Sequence, residues 1–289
     1  MRLNMKITTA IAALLLVVSN FTHASEAPVK KITEMLYPTV MVDMGRGAGS
    51  GTIIFSNKRL HESWKEEGVW TLVITNHHVI DGAISISEEF DPKQGKSVKM
   101  ETRRPVHVRL WDYNDYSTAV GTTGRVARIV AWDKQRDLAL LRLDDKERVI
   151  ENVAHLWPEK VGGPYLFQTV WAIGSGMSNP PYPTQGLLSG ISGKDQAGRS
   201  LYLSSSPIIF GNSGGSLWAH SNMRGRYELI GIPSAAGAYG WGTIVPHIAW
   251  SRPITEIRAF LRANDFGFIL GDDDVPKKDP EKDKKDDSS

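Results

Sequence analysis

A serine set among glycines, in the run Gly211-Asn212-Ser213-Gly214-Gly215, is the feature of this sequence that most suggests chemistry. A serine hydroxyl is a poor nucleophile until a base takes its proton, and its reaction needs backbone N–H groups directed at the developing oxyanion. Glycines on both sides of the serine allow the tight turn that presents those groups. Taken alone, the run is equally consistent with a plain glycine turn.

A pair of histidines follows a β-type run, in which residues 73–76 (Val-Ile-Thr-Asn) lead into His77 and His78. Histidine is the natural general base because its unperturbed pKa lies near neutrality. Two adjacent histidines also suggest a metal site. Neighbouring side chains on an extended chain point in opposite directions, however, and the sequence has no second ligand cluster, which makes a metal site the weaker interpretation.

An aspartate opens the apolar run of residues 137–143 (Asp-Leu-Ala-Leu-Leu-Arg-Leu). Such a carboxylate can orient a histidine and stabilise its charged form, although aspartate more often forms a turn at this kind of position. Asp112, Asp115 and Asp133 lie nearby in the sequence. The assignment of Asp137 therefore depends on the strand that it precedes and on the order of the motifs.

Together the three motifs resemble the trypsin-like (chymotrypsin-fold) serine protease family. The match is best with its disulfide-free bacterial branch, the Deg-type and glutamyl endopeptidase-like proteases. The order His, Asp, Ser is that of the chymotrypsin arrangement. The family pattern selects His78 over His77, and the resemblance implies a catalytic triad of His78, Asp137 and Ser213. It also implies an oxyanion hole formed by the N–H groups of Gly211 and Ser213, and two six-stranded barrels with the triad in the cleft between them.

The resemblance further implies how a peptide substrate is held. Ser234 matches the strand that pairs with the substrate backbone and supports the triad aspartate. The remaining substrate-binding positions are the base and walls of a pocket for the residue before the scissile bond: Pro207, Ile208, Ala235, Ala236 and Gly242. No acid lies at this base, so specificity for Arg or Lys is not expected, and a small or medium apolar residue is favoured. Asn212 replaces the acid that pairs with a new N-terminus in digestive proteases, so no activation by N-terminal insertion is expected.

The elements around these motifs predict an all-β protein. Short segments rich in Val, Ile, Leu, Thr and Trp alternate with turn residues, as in barrels and sandwiches. The first series comprises 39–43, 52–55, 70–75, 107–111, 125–132 and 138–143, and the second 166–173, 185–191, 200–204, 217–220, 227–233 and 243–246. Charged segments at 57–68 and 87–104 are predicted as exposed insertions. Helical spacing over Ser251–Ala263, with Ser251 as the cap, predicts a C-terminal amphipathic helix.

The ends of the chain differ from this pattern. Residues 1–24 have a positive start, a short apolar run and the sequence Thr22-His23-Ala24, which is typical of a signal peptide. A membrane anchor is the alternative, although the apolar run is short for a span. We expect an N-terminal barrel over 25–145, a C-terminal barrel over 146–265 and a disordered charged tail over 266–289. A docking role for the tail is also open. No PDZ domain is expected after the barrels.

Composition restricts the possible functions. The 289 residues include no cysteine, which excludes disulfides and thiol nucleophiles, and the net charge of +2 gives no argument for a nucleic-acid or membrane partner. No cofactor motif or metal-ligand spacing is present. The sequence therefore predicts an exported enzyme, periplasmic or extracellular and without a membrane anchor after cleavage, that hydrolyses proteins or peptides through an acyl-enzyme. A non-catalytic member of the fold and an esterase or acyltransferase remain as alternatives, and the oligomeric state is left open.

Overall fold

The computed structural model describes residues 28–58, 68–91, 95–115, 117–145 and 147–271. The predicted signal peptide, residues 1–24, lies outside these residues, and so does the predicted tail from residue 272 onward. In the part of the chain that the structure describes, no helix has the length and apolar character needed to cross a membrane.

The first barrel consists of six antiparallel strands. They are β1 (Thr39–Asp43), β2 (Ala48–Asn57), β3 (Trp70–Thr75), β6 (Val106–Tyr113), β7 (Ala119–Asp133) and β8 (Leu138–Leu143). The barrel closes in the order β1-β2-β3-β8-β7-β6. Between β3 and β6, β4 (Ile84–Asp91) and β5 (Lys96–Arg103) form a separate two-stranded sheet. The charged segment predicted as an insertion, 87–104, therefore belongs largely to an exposed hairpin.

The second barrel repeats this arrangement. Its strands are β9 (Thr169–Gly174), β10 (Tyr182–Lys194), β11 (Ser200–Ser204), β12 (Ser216–Ser221), β13 (Arg226–Tyr239) and β14 (Thr243–Pro253). They close in the order β10-β11-β14-β13-β12-β9. The predicted fold class is confirmed: an all-β chain of two six-stranded antiparallel barrels with a C-terminal helix. The proposed boundary at residues 145 and 146 falls between β8 and β9.

The central strands β3 and β8 join the two barrels because both of their faces are mostly apolar and every residue in them is buried. Side chains alternate across a strand. Val73 and Leu141 accordingly lie in the core of the first barrel. Leu72 and Leu140 lie in a second cluster that continues into the second barrel. The strands whose ends carry the histidine and aspartate motifs are thus held between two cores.

The C-terminal helix is confirmed, with corrected bounds: it spans Ile254–Ala263 as α2, whereas α1 is the single turn His77–Ile80. Ser251 is not its cap. It is a buried residue of β14 that pairs with Pro233, and Pro253 takes the cap position. The folded region also extends beyond the predicted boundary at 266, because Phe266 is buried against the core just before a 3₁₀ turn over Gly267–Leu270 and Leu270 is buried at the end of that turn.

Candidate active site

The end of β3 and the start of β8 lie side by side. The two strands are antiparallel, with Thr75 opposite Ala139. The chain leaving β3 through Asn76 and the turn entering β8 are therefore neighbours. The amide of Asn76 fixes this turn by donating from Nδ2 to the carbonyl of Asp137 at 2.8 Å. The strand register thus brings the histidine motif and the aspartate motif to one place.

The two histidines of α1 have different environments. His77 is buried, with its ring centroid 5.1 Å from that of Trp132, and burial lowers its pKa. The side chain of His78 is 45% exposed and belongs to neither hydrophobic core. A buried ring packed against a tryptophan suits a packing role, whereas an exposed ring bonded to a carboxylate suits proton transfer. Of the two, His78 has the environment of a base.

Asp137 holds His78 through three hydrogen bonds. The His78 ring nitrogen Nδ1 lies 2.9 Å from Oδ1 and 3.0 Å from Oδ2. The backbone N–H of His78 donates to Oδ1 at 3.0 Å. Asp137 adopts a left-handed φ of 53°, which is uncommon for a residue other than glycine. These bonds leave the other ring nitrogen, Nε2, available to accept a proton.

The other aspartates considered from the sequence have different roles. Asp133 accepts the backbone N–H of Arg136 at 2.8 Å and its guanidinium at 2.5 Å. Asp112 accepts the hydroxyl of Thr123 at 3.4 Å. In the part of the chain that the structure describes, the carboxylates of Asp112, Asp115 and Asp133 do not bond to His77 or His78. Asp137 is the aspartate that the fold brings to His78.

Ser213 lies in a turn that only glycines can build. Gly211 has φ of 96° and Gly214 has φ of 83°, a region that residues with a Cβ rarely adopt. A Cβ on Gly214 would lie 2.2 Å from both the carbonyl oxygen of Ser50 and Oγ1 of Thr75. The turn therefore packs directly on the first barrel at the end of β3. Ser213 itself is half-buried.

The backbone N–H groups of Gly211 and Ser213 have no acceptor among the described residues, whereas those of Asn212 and Gly214 are engaged. Asn212 N–H donates to the Ile209 carbonyl at 3.0 Å, and Gly214 N–H to the Pro233 carbonyl at 3.0 Å. Buried N–H groups are rarely left without a partner. The N–H groups of Gly211 and Ser213, on either side of Asn212, therefore remain available to bind an anion.

The histidine and serine approach each other through Gly49. A Cβ on Gly49 would lie 2.6 Å from the side chain of Val79, which follows His78, and 3.1 Å from the carbonyl oxygen of Ser213. Within the described residues, no hydrogen bond joins His78 Nε2 to Ser213 Oγ. Such bonds are often long in the absence of substrate. The chain thus brings all three predicted triad residues to the same inter-barrel junction.

The predicted substrate strand has a free edge next to this turn. β13 pairs with β12 as far as Gly231, and its Pro233 carbonyl then accepts the Gly214 N–H. From Ser234 to Tyr239 the described residues pair with β13 only on its β14 side. Ser234 makes no hydrogen bond with the Asp137 carboxylate in this part of the structure, so the expected support of the aspartate by Ser234 is not observed.

The predicted pocket residues are only partly brought together. Ile208 is buried and its N–H donates to the Pro246 carbonyl at 2.9 Å, while Pro207 is exposed. Ala235 and Ala236 lie opposite Trp250 and Ala249 on β14. Gly242 lies apart from them, exposed in the hairpin turn with no atom within 4 Å of a would-be Cβ. The sequence did not single out Pro246, because its contact with Ile208 is a backbone bond between distant loops.

The sequence left a metal site at the two histidines as the weaker interpretation. Among residues 28–58, 68–91, 95–115, 117–145 and 147–271, no group of three His, Cys, Asp or Glu side chains is arranged to hold a metal ion. Because Nδ1 of His78 is bonded to a carboxylate and His77 is packed on Trp132, the two adjacent histidines do not share a ligand position.

Comparison with known proteins agrees with the geometry. Residues 49–232 match the family model of the trypsin-like peptidase domain. Solved structures with the same fold include an HtrA-type protease with a tripeptide, at 17% identity and a TM-score of 0.54, covering 86% of this chain and 64% of that chain. Deg5 aligns at 20% identity and a TM-score of 0.51, covering 82% of this chain and 92% of its own. A serine endoprotease from Yersinia pestis aligns at 20% identity and a TM-score of 0.51, covering 85% and 67%.

No curated protein sequence matches the chain. The family model nevertheless includes the segments that carry His78, Asp137 and Ser213, and it spans most of both barrels. The chain belongs to the trypsin-like peptidase family.

Proposed function

We propose that the protein is an exported serine endopeptidase that hydrolyses proteins or peptides through an acyl-enzyme, with His78, Asp137 and Ser213 as its triad. One observation carries the proposal: a histidine bonded through Nδ1 to a carboxylate lies beside a serine turn whose two flanking N–H groups have no partner among the described residues. This combination supplies a base, an orienting acid, a nucleophile and an anion pocket.

The chemistry follows from these positions. Nε2 of His78 takes the proton from Ser213 Oγ as that oxygen attacks the substrate carbonyl carbon. The carbonyl oxygen becomes an oxyanion and accepts hydrogen bonds from the N–H groups of Gly211 and Ser213. His78 then gives its proton to the leaving amine as the C–N bond breaks. A water molecule, deprotonated by the same nitrogen, releases the acid and restores Ser213. Asp137 stabilises the imidazolium in both halves of the reaction.

The substrate binds as an added strand along β13. The free edge begins at Ser234, one residue beyond the Pro233 carbonyl that is bonded to the nucleophile turn. Backbone hydrogen bonds along such an edge tolerate many sequences, which suits an endopeptidase. The side chain before the scissile bond enters beside Ile208 and Ala236. These residues carry no charge, so an apolar residue is preferred there over Arg, Lys or Glu.

Export rests on the sequence of residues 1–24, with cleavage after Ala24 and release to the periplasm or the extracellular space. Asn212 supports the view that the enzyme is constitutively competent. Its Oδ1 accepts the Ile209 N–H at 2.9 Å inside the turn, so the turn is braced without a charged N-terminus. A chain that begins at Ser25 is therefore active without further trimming.

A digest of proteome-derived peptides and of a folded protein substrate, with wild type and Ser213→Ala side by side, tests the proposal. We expect cleavage by wild type only, predominantly after small or medium apolar residues. Ester hydrolysis without protein cleavage would favour an esterase. A folded wild type that cleaves nothing would favour a non-catalytic binding protein, and cleavage mainly after Arg, Lys or Glu would refute the proposed pocket.

A further inference from the structure

Ser50 is a buried residue whose role neither the triad nor the substrate strand explains. It lies near the start of β2, at the junction of the two barrels, and is 0% exposed. Its side chain contacts residues far along the chain, 161 positions from Gly211 and 125 positions from Ser175. A small polar residue held between two barrels needs its hydrogen bonds satisfied, and each of its bonds reaches the catalytic region or its support.

All the polar groups of Ser50 are engaged. Its Oγ donates to the carbonyl of Gly211 at 2.6 Å and accepts the N–H of Ser175 at 2.7 Å. Its backbone N–H donates to the carbonyl of Ser213 at 2.8 Å. Its own carbonyl accepts the hydroxyl of Thr75 at 2.7 Å. Ser50 therefore binds the carbonyls of Gly211 and Ser213, the two residues whose own N–H groups have no acceptor among the described residues.

Holding the carbonyls of this turn matters because the N–H and C=O of a planar trans peptide unit point in opposite directions. A bond that fixes the C=O therefore also fixes the direction of the N–H. The two peptide units whose N–H groups have no acceptor among the described residues are held by their carbonyls: Phe210 C=O accepts Met177 N–H at 2.7 Å, and Asn212 C=O accepts Gly215 N–H at 3.0 Å. The units after Gly211 and after Ser213 are held by Ser50. Each of the four peptide units whose carbonyls belong to residues 210–213 is thus fixed by a hydrogen bond, and Ser50 supplies two of these four bonds.

Gly211 is the weak point of this arrangement. Its φ of 96° and its lack of a Cβ permit rotations that other residues resist, so a neighbouring peptide unit can turn a carbonyl toward the cleft if nothing holds it. Ser50 Oγ holds the Gly211 carbonyl directly. Through Ser175 it also holds the segment whose Met177 N–H binds the Phe210 carbonyl. A single hydroxyl therefore braces the turn from both sides.

We propose that Ser50 is a positioning residue that keeps the N–H groups of Gly211 and Ser213 directed into the oxyanion hole. The inference rests on the proposed function, since it assigns Ser50 to the same site. A hydroxyl is required because one atom must donate to a carbonyl and accept from an N–H at once. The space is also limited: a Cβ on Gly174 would lie 2.8 Å from Ser50 Oγ.

Ser50→Ala tests the proposal, with Ser56→Ala as the matched control. Ser56 lies on the same strand, and its Oγ also accepts a backbone N–H, from Ile150 at 2.8 Å, and bonds to Thr71 Oγ1 at 2.8 Å. Both variants remove a bridging hydroxyl from β2, but only Ser50 touches the nucleophile turn. Thermal unfolding, kcat and KM on a peptide amide, and the rate of labelling by a fluorophosphonate are measured for each.

We expect Ser50→Ala to lower kcat and the labelling rate by about 10- to 100-fold, with KM nearly unchanged. This is less than the full loss of one oxyanion donor, about 10²–10³, because the donors remain and lose only their orientation. Ser56→Ala keeps wild-type kcat even where its stability falls as much. Equal kcat in the two variants, or a loss confined to KM, would overturn the proposal.

Ser50→Cys covers the case in which the alanine variant does not fold. A thiol has a similar shape and is a weaker donor and acceptor, so the folded variant is expected to show a reduced kcat with KM unchanged. Wild-type kcat in that variant would also contradict the proposal. The wild-type enzyme separates the two hypotheses: if it is inactive, the proposed function fails, and if it is active while both Ser50 variants match it, only the role of Ser50 fails.

Discussion

Replacing Asp137 by asparagine changes the proton on His78 while leaving the shape of the site nearly intact. The carboxylate now accepts from Nδ1 through both oxygens, at 2.9 and 3.0 Å, and from the His78 backbone N–H at 3.0 Å. An asparagine oxygen can keep the backbone bond. Its NH₂ group then faces Nδ1 and donates to it, which forces the ring proton onto Nε2. That nitrogen can no longer accept the proton of Ser213.

The expected cost follows from this change of tautomer. In a Ser-His-Asp triad the corresponding change lowers kcat by about 10⁴. At 1.36 kcal/mol for each factor of ten, this is about 5.4 kcal/mol of transition-state stabilisation. Folding changes much less, because the backbone bond to His78 and the Asn76 bond to the carbonyl of residue 137 both remain. Activity and stability are therefore expected to separate.

Steady-state hydrolysis of a peptide amide, with thermal unfolding in parallel, measures both quantities for Asp137→Asn. Asp133→Asn is the matched control, because Asp133 ends β7 opposite Leu138 at the start of β8 but bonds to Arg136 rather than to a histidine. We expect the control to stay within a few-fold of wild type. A kcat for Asp137→Asn within about tenfold of wild type would refute the tautomer argument, and an equal loss in both variants would show a structural effect instead.

Three further outcomes follow from individual contacts. Gly214→Ala, whose Cβ would lie 2.2 Å from the Ser50 carbonyl, is expected to abolish hydrolysis and lower the melting temperature, and wild-type activity would contradict the packing of the turn. Asp195→Ala removes the partner of the buried Arg252, 2.7 Å away, so urea unfolding should reveal a loss of about 3 kcal/mol; a loss below about 1 kcal/mol would show that water compensates. Burial lowers the pKa of His155 from its usual 6.5, so the unfolded chain binds protons first and stability falls as the pH drops below that value. His155→Gln should reduce this fall in melting temperature at acid pH, and an unchanged pH dependence would show that another group causes it.

Sequence reasoning located strands best where both faces are buried. The bounds of β1, β3 and β8, which are buried along nearly their whole length, are those predicted, because apolar runs between turn residues leave little choice. The bounds of β11, which is only partly buried, are also those predicted. It was less successful for β14, which continues to Pro253 through a segment whose end was predicted as the start of the helix. It also missed the extension of β13 from Ser234 to Tyr239, because the small side chains there carry little hydrophobic pattern.

The candidate site could also be predicted only in part. The turn around Ser213 could be predicted because positive φ values demand glycine, and the choice of His78 over His77 agrees with the burial of His77 against Trp132. The bonds of Ser50 to Gly211, Ser213 and Ser175 could not be derived, because they join positions more than a hundred residues apart. Gly242 was misplaced for a related reason: three extra residues in β14 shift the register after Ala236 and move the turn outward.

The central claim is that Ser213 is an activated nucleophile, and the location of a covalent adduct tests it most directly. The mature protein is treated with a fluorophosphonate, digested with a second protease, and mapped by mass spectrometry. We expect one adduct, on the peptide that contains Ser213, and none in Ser213→Ala. An adduct on another serine, or a folded wild-type protein that takes up no label, would contradict the account.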